Sequence, residues 1–361
     1  IIKKKSIKNC WVIGVDEICG IIFSLKKILK PSINVCFSNY VFHNYKYDYS
    51  ININNLYFRY LLRLVYGPIL LGYLANKSTH FWYIWNSGFL MDRNYEFKFL
   101  KSKKIKIISM FCGDDIRSIK LTNEHAKKNK LDTHSFYNPL ENKYMQTKSY
   151  DEDKKKLAKS SDKYADIVFN HKLCQMSYLK SEQYSWPYLL DKAKFKKNDY
   201  KYDYLDTIKI IHAPSSILFK GTPLVRAVIK KLKIEKYSID YVELIDVAND
   251  IVLENLQSSH IALNQFYTFT PGYFGIEAMA NHCAVLMSAD PSIETGLPQD
   301  GQDAWMITKF WEVYDNLKYL LDNPDKIKYY ADNGYNFAYK HYTYEAAGNY
   351  INSVLKEKNI I

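Results

Sequence analysis

The segment Pro271-Gly272-Tyr273-Phe274-Gly275-Ile276-Glu277-Ala278-Met279-Ala280 follows an apolar run at Ile261–Asn264 and leads into a helical pattern. Glycines at 272 and 275 let backbone amides approach a ligand closely. A helix start adds outward-facing N–H groups and partial positive charge, so the segment reads as a phosphate cradle. Glu277 has two readings: a carboxylate favoured by the dipole of a first helical turn, or a partner for paired ribose hydroxyls beside bound phosphates. A second segment, Ile211-His212-Ala213-Pro214-Ser215-Ser216 followed by Lys220-Gly221-Thr222, sets two hydroxyls and a lysine in a loop at a predicted strand end. Ligands of open α/β sheets sit outside such strand ends. Lys220 there either neutralises a departing diphosphate or is one more solvated surface lysine.

These segments need a frame that brings strand ends and helix starts together. In the first half, β-rich runs at Trp11–Gly14, Asn34–Phe37, Phe81–Trp85, Ile105–Phe111 and Asp166–Asn170 alternate with helical patterns. The spacing Ile18, Ile21, Ile22, Leu25, Ile28, Leu29 predicts an amphipathic helix after a glycine turn at Gly14. A Trp-Pro pair and a lysine- and aspartate-rich stretch fill Trp186 to Tyr204, and the alternation then restarts. Strands are predicted at Ile208–His212, Asp240–Leu244, Ile261–Asn264 and Ala284–Ser288, and helices at Leu224–Leu232 and Gly275–Ala280. From Glu312 the period is helical, with Asn323-Pro324 and Asn333-Gly334 as breaks. Alternation of this kind predicts parallel sheets flanked by helices, the α/β class. The expected division is an acceptor-side domain at 1–195, a donor domain at 196–340, and a helix at 341–361 packing back on the first domain.

The 361 residues exceed what a single core usually serves, about 250 to 300. Hydrophobic residues at 47% and charged residues at 24% exclude a disordered or fibrous chain. The net charge of +12 predicts attraction to anionic partners: nucleic acid, phospholipid or phosphorylated small molecules. The lysine runs at Lys3–Lys5, Lys101–Lys106, Lys154–Lys156 and Lys194–Lys197 are read first as solvated faces, and second as contacts to an anionic membrane. Cys10, Cys19, Cys36, Cys112, Cys174 and Cys283 show no paired spacing, so reduced thiols are expected rather than a zinc ribbon or a disulfide framework. His43, His80, His125 and His260 lack metal-ligand spacing, and Phe81–Trp85 reads as a buried strand. Asp16 and Glu17 interrupt the first apolar stretch before it could form a signal-peptide core. The uncharged run Leu64–Asn76, broken by Gly67-Pro68, falls short of the roughly 18 to 20 apolar residues that span a bilayer. A cytoplasmic protein is expected, with peripheral attachment to the inner membrane face.

From Ile208 to about Ser288 the sequence resembles the donor domain of family 4-type (group 1) glycosyltransferases of the GT-B fold. The likeness lies in the His-Ala-Pro-Ser loop, Lys220-Gly221-Thr222, Asn264-Gln265 and the Gly-Tyr-Phe-Gly-Ile-Glu-Ala-Met-Ala segment. One branch of that family has the pattern His-x-Pro-[Ser/Thr], Lys-Gly-Thr, Asp-Gln, Gly-x-[Tyr/Phe]-Gly and Glu-Ala-Met-Ala. In the first half, Phe111-Cys112-Gly113-Asp114-Asp115-Ile116-Arg117 is similar to the Phe-His-Gly-Ser-Asp-Ile-Arg of the same branch. The chain departs at three places: Asn264 replaces the usual aspartate, Cys112 a histidine, and Phe269 stands where many family members carry a first glutamate eight positions before Glu277.

The resemblance implies a GT-B architecture, two Rossmann-like domains with a cleft between them, and transfer of a hexose from a UDP-, GDP- or ADP-sugar. The acceptor would be a glycan or lipid-linked molecule of surface polysaccharide biosynthesis, such as capsule or lipopolysaccharide. Retention of anomeric configuration and independence of metal and cofactor come with it. Lys220 would contact the donor diphosphate, Glu277 the ribose and Glu243 the base side. His212, Ser215, Ser216, Gly221, Asn264, Gln265, Gly272, Tyr273, Phe274 and Gly275 would complete the donor site. Asp115 and Arg117 are expected in the cleft or, equally, as a helix cap and mutual pair. Gly14 would lie where an acceptor or the donor phosphates approach. Two other functions fit the same residues: epimerisation or hydrolysis of a sugar nucleotide, and a non-enzymatic basic binding protein with a degenerate donor site. Nucleic acid is not an expected partner, since no motif for it is present.

Overall fold

A computed structural model describes residues 10–38, 45–51, 53, 55–131 and 138–361, so Lys3–Lys5 and His43 lie outside the described residues. Strands run at β1 Trp11–Val15, β2 Ser32–Cys36, β3 Tyr49–Ser50, β4 His80–Ile84, β5 Lys106–Met110 and β6 Ile167–Phe169. A second set follows at β7 Ile208–His212, β8 Ile239–Glu243, β9 Ile261–Leu263, β10 Ala284–Met287 and β11 Met306–Ile307. Helices are α1 Ile21–Ile28, α2 Leu56–Ala75, α3 Arg93–Ser102, α4 Ile119–Asn129, α5 Asn138–Glu141 and α6 Lys148–Tyr164. They continue with α7 Thr222–Ile234, α8 Asn249–Ser258, α9 Gly272–Ala280, α10 Val313–Asp322, α11 Pro324–Tyr342 and α12 Tyr344–Glu357.

The chain forms two compact units: Ile1–Leu121 with Lys148–Leu189 and Ala347–Ile361, and Thr122–Thr147 with Leu190–Ala346. In the first, every strand pair is parallel, in the order β3-β2-β1-β4-β5-β6. That is the order of a doubly wound dinucleotide-binding sheet, which reverses between β1 and β4. Both strands are buried along their whole length, as apolar runs covered by helices on two faces must be. The helix α12 closes this unit: Gly348 lies close enough to Ile28 that a Cβ would meet its Cγ2 at 3.1 Å, and Tyr184 donates to Glu357 at 2.6 Å.

The second unit is also parallel throughout, in the order β11-β10-β9-β7-β8. Its direction of winding reverses between β7 and β9, which makes their carboxyl ends the switch point. Ile208, Ile210, Ile261 and Leu286 from the strands pack with Val225 and Leu232 of α7 beneath that edge.

Several expected elements differ in detail. Gly14 is not a turn but an interior residue of β1, paired with Tyr83, and a Cβ on it would meet the Val35 carbonyl oxygen at 2.6 Å. Gly20, at φ 78°, takes the turn before α1. Asn333-Gly334 does not break the tail: Gly334 sits inside α11, where a Cβ would meet the Ala304 carbonyl oxygen at 2.7 Å. The helix expected from Gly275 begins at Gly272. Most of the uncharged run Leu64–Asn76 belongs to α2, which continues through Pro68. The two-residue strands β3 and β11 are too short to carry a period.

Candidate functional site

The candidate donor site stands at the switch point of the second unit. β7 ends on His212, a loop crosses 213–221, and α7 starts after Gly221, whose φ of 76° is left-handed. His212 is fully buried, with Nδ1 at 2.7 Å from the Leu263 carbonyl and Nε2 at 2.9 Å from Thr222 Oγ1. A carbonyl can only accept, so Nδ1 carries the proton and Nε2 receives the Thr222 hydroxyl. Burial lowers the ring's pKa to about 4, outweighing the Leu263 hydrogen bond that favours the charged form. His212 is therefore a neutral brace joining β7, the end of β9 and the first turn of α7.

At the end of the loop, the Lys220 backbone N–H donates to the Ser216 carbonyl at 3.1 Å and its ammonium group donates to Gln265 Oε1. The other end of the Gln265 amide donates to the Thr270 carbonyl. Gly272, at φ 64°, leaves 3.3 Å between Gln265 Nε2 and the Cβ that any other residue would carry. Gln265 thus holds the ammonium group of Lys220 beside the head of α9, whose first-turn N–H groups point out of the helix end. The exposed Ser215 and half-buried Ser216 lie in the same loop.

Asn264 is buried, and its amide donates to the Pro271 carbonyl and lies 3.2 Å from Met287 Sδ. This explains the residue type, because a carboxylate at 264 would have no proton for the Pro271 carbonyl. Gly275 serves the same packing: a Cβ there would meet Asn264 Nδ2 at 2.5 Å. Of the two glycines, only Gly272 stands at the mouth of α9.

Glu277 lies in the second turn of α9, not the first, on the flank shared with Tyr273 and Phe274. It is 5% exposed. Asn249, the first residue of α8, donates to both carboxylate oxygens at 3.1 and 3.2 Å, and Lys194 Nζ stands 3.4 Å from Oε1. Burial raises the pKa of Glu277 against the Lys194 charge and these hydrogen bonds. Lys194 and Asn249 carried no signal in the sequence. The run Lys194–Lys197 reads as a solvated face in the sequence, yet Lys197 too is paired, with Asp332 at 3.1 Å.

Glu243, at the end of β8, is engaged elsewhere. Arg226 Nε donates to both its oxygens at 3.1 Å and Tyr241 donates at 2.7 Å. The Arg226 hydrogen bonds hold its pKa below the usual carboxylate range.

In the first unit the ends of β1 and β5 carry buried carboxylates. Asp115 accepts from the Gly113 N–H at 2.7 Å and the Cys112 N–H at 3.2 Å, and burial pushes its pKa up to about 6. Arg117 is also buried, donates to the Cys174 carbonyl at 2.8 Å and pairs with Asp114. The pair expected between Asp115 and Arg117 is thus made by Asp114, and Asp115 ties down its own loop. Burial raises the thiol pKa of Cys112, which disfavours the thiolate. Glu17 accepts from the Ile22 and Phe23 N–H groups at 3.1 and 3.2 Å and from Tyr47 at 3.0 Å, and burial pushes its pKa up to about 7.

Among the described residues, Asp199, His282 and Asp332 are grouped closely enough to hold a cation. Lysines supply that charge: Lys328 stands 2.8 Å from Asp199 and 2.7 Å from Asp332. Burial opposes ionisation of Asp332, but hydrogen bonds from Lys328, His282 and Lys197 prevail and hold its pKa at about 2.

No protein-family model matches the chain, and no curated protein matches it in sequence. Solved structures do match in fold. HepE of Anabaena, in complex with UDP and glucose, aligns over 97% of this chain and 100% of its own at a TM-score of 0.60 and 11% identity. Sucrose-phosphate synthase of Thermosynechococcus elongatus aligns over 97% and 98% at 0.63 and 11%. A putative UDP-N-acetylglucosamine 2-epimerase of Listeria monocytogenes aligns over 96% and 95% at 0.50 and 12%. The likeness is one of fold, the GT-B class with two Rossmann-like domains.

Proposed function

We propose that the chain is a glycosyltransferase that moves a sugar from a nucleoside diphosphate sugar to a glycan or lipid-linked acceptor. The observation that carries this reading is the seating of Lys220 on Gln265 beside the head of α9, at the switch point of a parallel sheet. An ammonium group and helix-end amides converge where a pyrophosphate bridge would lie. They would stabilise the charge that grows on the diphosphate as the glycosidic bond breaks. In this reading they do the work that a divalent cation does elsewhere, and transfer proceeds with retention.

Glu277 would take the ribose. Two vicinal hydroxyls are matched by two carboxylate oxygens, and Lys194 and Asn249 keep the group available as an acceptor. The likeness to a structure solved with UDP makes UDP-glucose the first donor to test. His212, Asn264 and Gln265 would position rather than touch the reacting atoms. The pathway is read as surface polysaccharide synthesis on the strength of the donor-domain motifs.

The likeness to an epimerase keeps a second reaction in view, epimerisation of a UDP-sugar. UDP release from UDP-glucose, with and without glycan acceptors, separates them: transfer gives a glycosylated product, whereas epimerisation changes the sugar with UDP attached. Lys220→Ala and Glu277→Ala should abolish either product; undiminished turnover in both variants would remove the site assignment.

A further inference from the structure

The helix α2 leaves the core of its unit half-way along. Its carboxyl-terminal half seats Leu70, Leu71, Leu74 and Ala75 in that core. Before Leu70 most apolar side chains face solvent instead: Tyr57 is 67% exposed, Phe58 60%, Val65 65% and Ile69 66%. At about 100° per residue, Phe58, Leu62, Val65 and Ile69 share one face, with Tyr57 and Leu61 beside it. Contiguous exposed apolar area of this kind marks an interaction surface.

Its charge selects the partner. No acidic residue lies between Asp48 and Asp92, while Arg59 and Arg63 stand half-buried among the exposed side chains. Aliphatic and aromatic groups beside a guanidinium group suit the boundary of a bilayer: the former enter the acyl region and half-buried Arg59 is placed to meet headgroup phosphates, whereas Arg63 turns in to the Phe37 ring and the Gly88 carbonyl. A second copy of the chain suits the face poorly, because a two-fold contact would bring like-charged Arg59 side chains together and α2 itself carries no carboxylate to pair them. Among the described residues no helix is long and apolar enough to cross a membrane, so α2 would lie on one.

We infer that the amino-terminal half of α2 is a docking surface for an anionic lipid bilayer. Arg63 donates to the Gly88 carbonyl in the loop after β4, and Gly67 abuts the Phe89 carbonyl, so the surface adjoins the carboxyl edge of the first unit's sheet. Taken with the proposed transfer reaction, on which this one step rests, the acceptor narrows to a molecule presented at a bilayer. The docking surface itself does not depend on that reaction.

The test is sedimentation of the full chain with phosphatidylcholine vesicles, with and without phosphatidylglycerol, over a range of salt. The unaltered chain should pellet with the anionic vesicles, and less so as salt rises. Val65→Asp combined with Ile69→Asp should lower the bound fraction about tenfold or more, with circular dichroism and UDP affinity unchanged. Arg59→Gln should weaken binding and flatten its salt dependence while leaving the Arg63 contact intact. The inference is overturned if the unaltered chain ignores anionic vesicles or if the double aspartate variant binds as well as it does. It is equally overturned if sedimentation equilibrium shows a dimer that this variant dissociates. Failure to bind UDP would sink the donor reading and leave the vesicle result standing.

Discussion

Replacing Glu277 by glutamine tests the division of labour in the donor site. Its carboxylate accepts from Asn249 through both oxygens and from Lys194 at 3.4 Å, so an amide would turn one N–H₂ toward two donors. Two ribose hydroxyls donating to a carboxylate contribute roughly 1.5–3 kcal/mol each, and the amide retains one neutral bond of about 1 kcal/mol. A net loss of at least about 2 kcal/mol raises the UDP dissociation constant about 30-fold or more. Burial already works against the charged form, so folding does not depend on it and the variant should remain intact. Titration calorimetry with UDP, 2′,3′-dideoxy-UDP and inorganic pyrophosphate reads the result. Glu277→Gln should weaken UDP alone, bringing it to the level of the dideoxy ligand, whereas Lys220→Ala should weaken all three. Equal effects of Glu277→Gln on UDP and pyrophosphate, or none on either, would refute the ribose assignment.

The folded state holds the Glu17 proton up to about pH 7, against 4.5 for the free side chain. The folded chain therefore binds more protons than the unfolded one between those values, and stability falls as pH rises through them, by about 3 kcal/mol in all. Urea unfolding at several pH values should show this slope, and Glu17→Gln should flatten it. His171 runs the other way: burial lowers its pKa to about 3, so its contribution is lost as pH falls below 6.5, and His171→Phe should reduce acid sensitivity. Asn264→Asp removes the donor to the Pro271 carbonyl and should cost roughly 1–3 kcal/mol in chemical denaturation, with weaker UDP binding. Gly334→Ala should destabilise by roughly 1–3 kcal/mol, because its Cβ would meet a carbonyl at 2.7 Å. Gly72→Ala, with nothing within 4 Å, should stabilise by roughly 0.5–1 kcal/mol. Equal signs for the two glycine variants in differential scanning calorimetry would contradict the packing.

Elements whose faces are covered on both sides were legible in the sequence because burial imposes continuous apolar runs. Ile208–His212 lies at its expected bounds, and Ala284–Met287 ends one residue early. What failed were inferences from glycine. Gly14, Gly275 and Gly334 each stand where a neighbouring group comes within 2.7 Å of a Cβ position, so each is a packing residue. Gly20, Gly221 and Gly272, with φ near +70°, stand instead where the chain turns into a helix. Sequence alone does not separate a glycine needed for close approach from one needed for its dihedral angle. The helix α2 went unread for a related reason: with apolar residues on the core face and the exposed face alike, no period of burial survives.

The site was legible in its strand-end motifs and hidden in its partners. Lysines at 192, 194, 196 and 197 are alike by composition, yet the fold sends Lys194 to Glu277, Lys197 to Asp332 and Lys192 to Glu345. Nothing local distinguishes them, since the partner lies 83 residues away for Lys194. The early start of α9 bears most on function. With the helix beginning at Gly272, Glu277 stands beyond the first turn and gains little from the helix dipole. Burial penalises its charge, and Lys194 and Asn249 offset part of that penalty. A buried carboxylate that the helix does not need, in the second turn of the helix at whose head Gln265 seats Lys220, is the kind of group that a ligand, rather than the fold, requires.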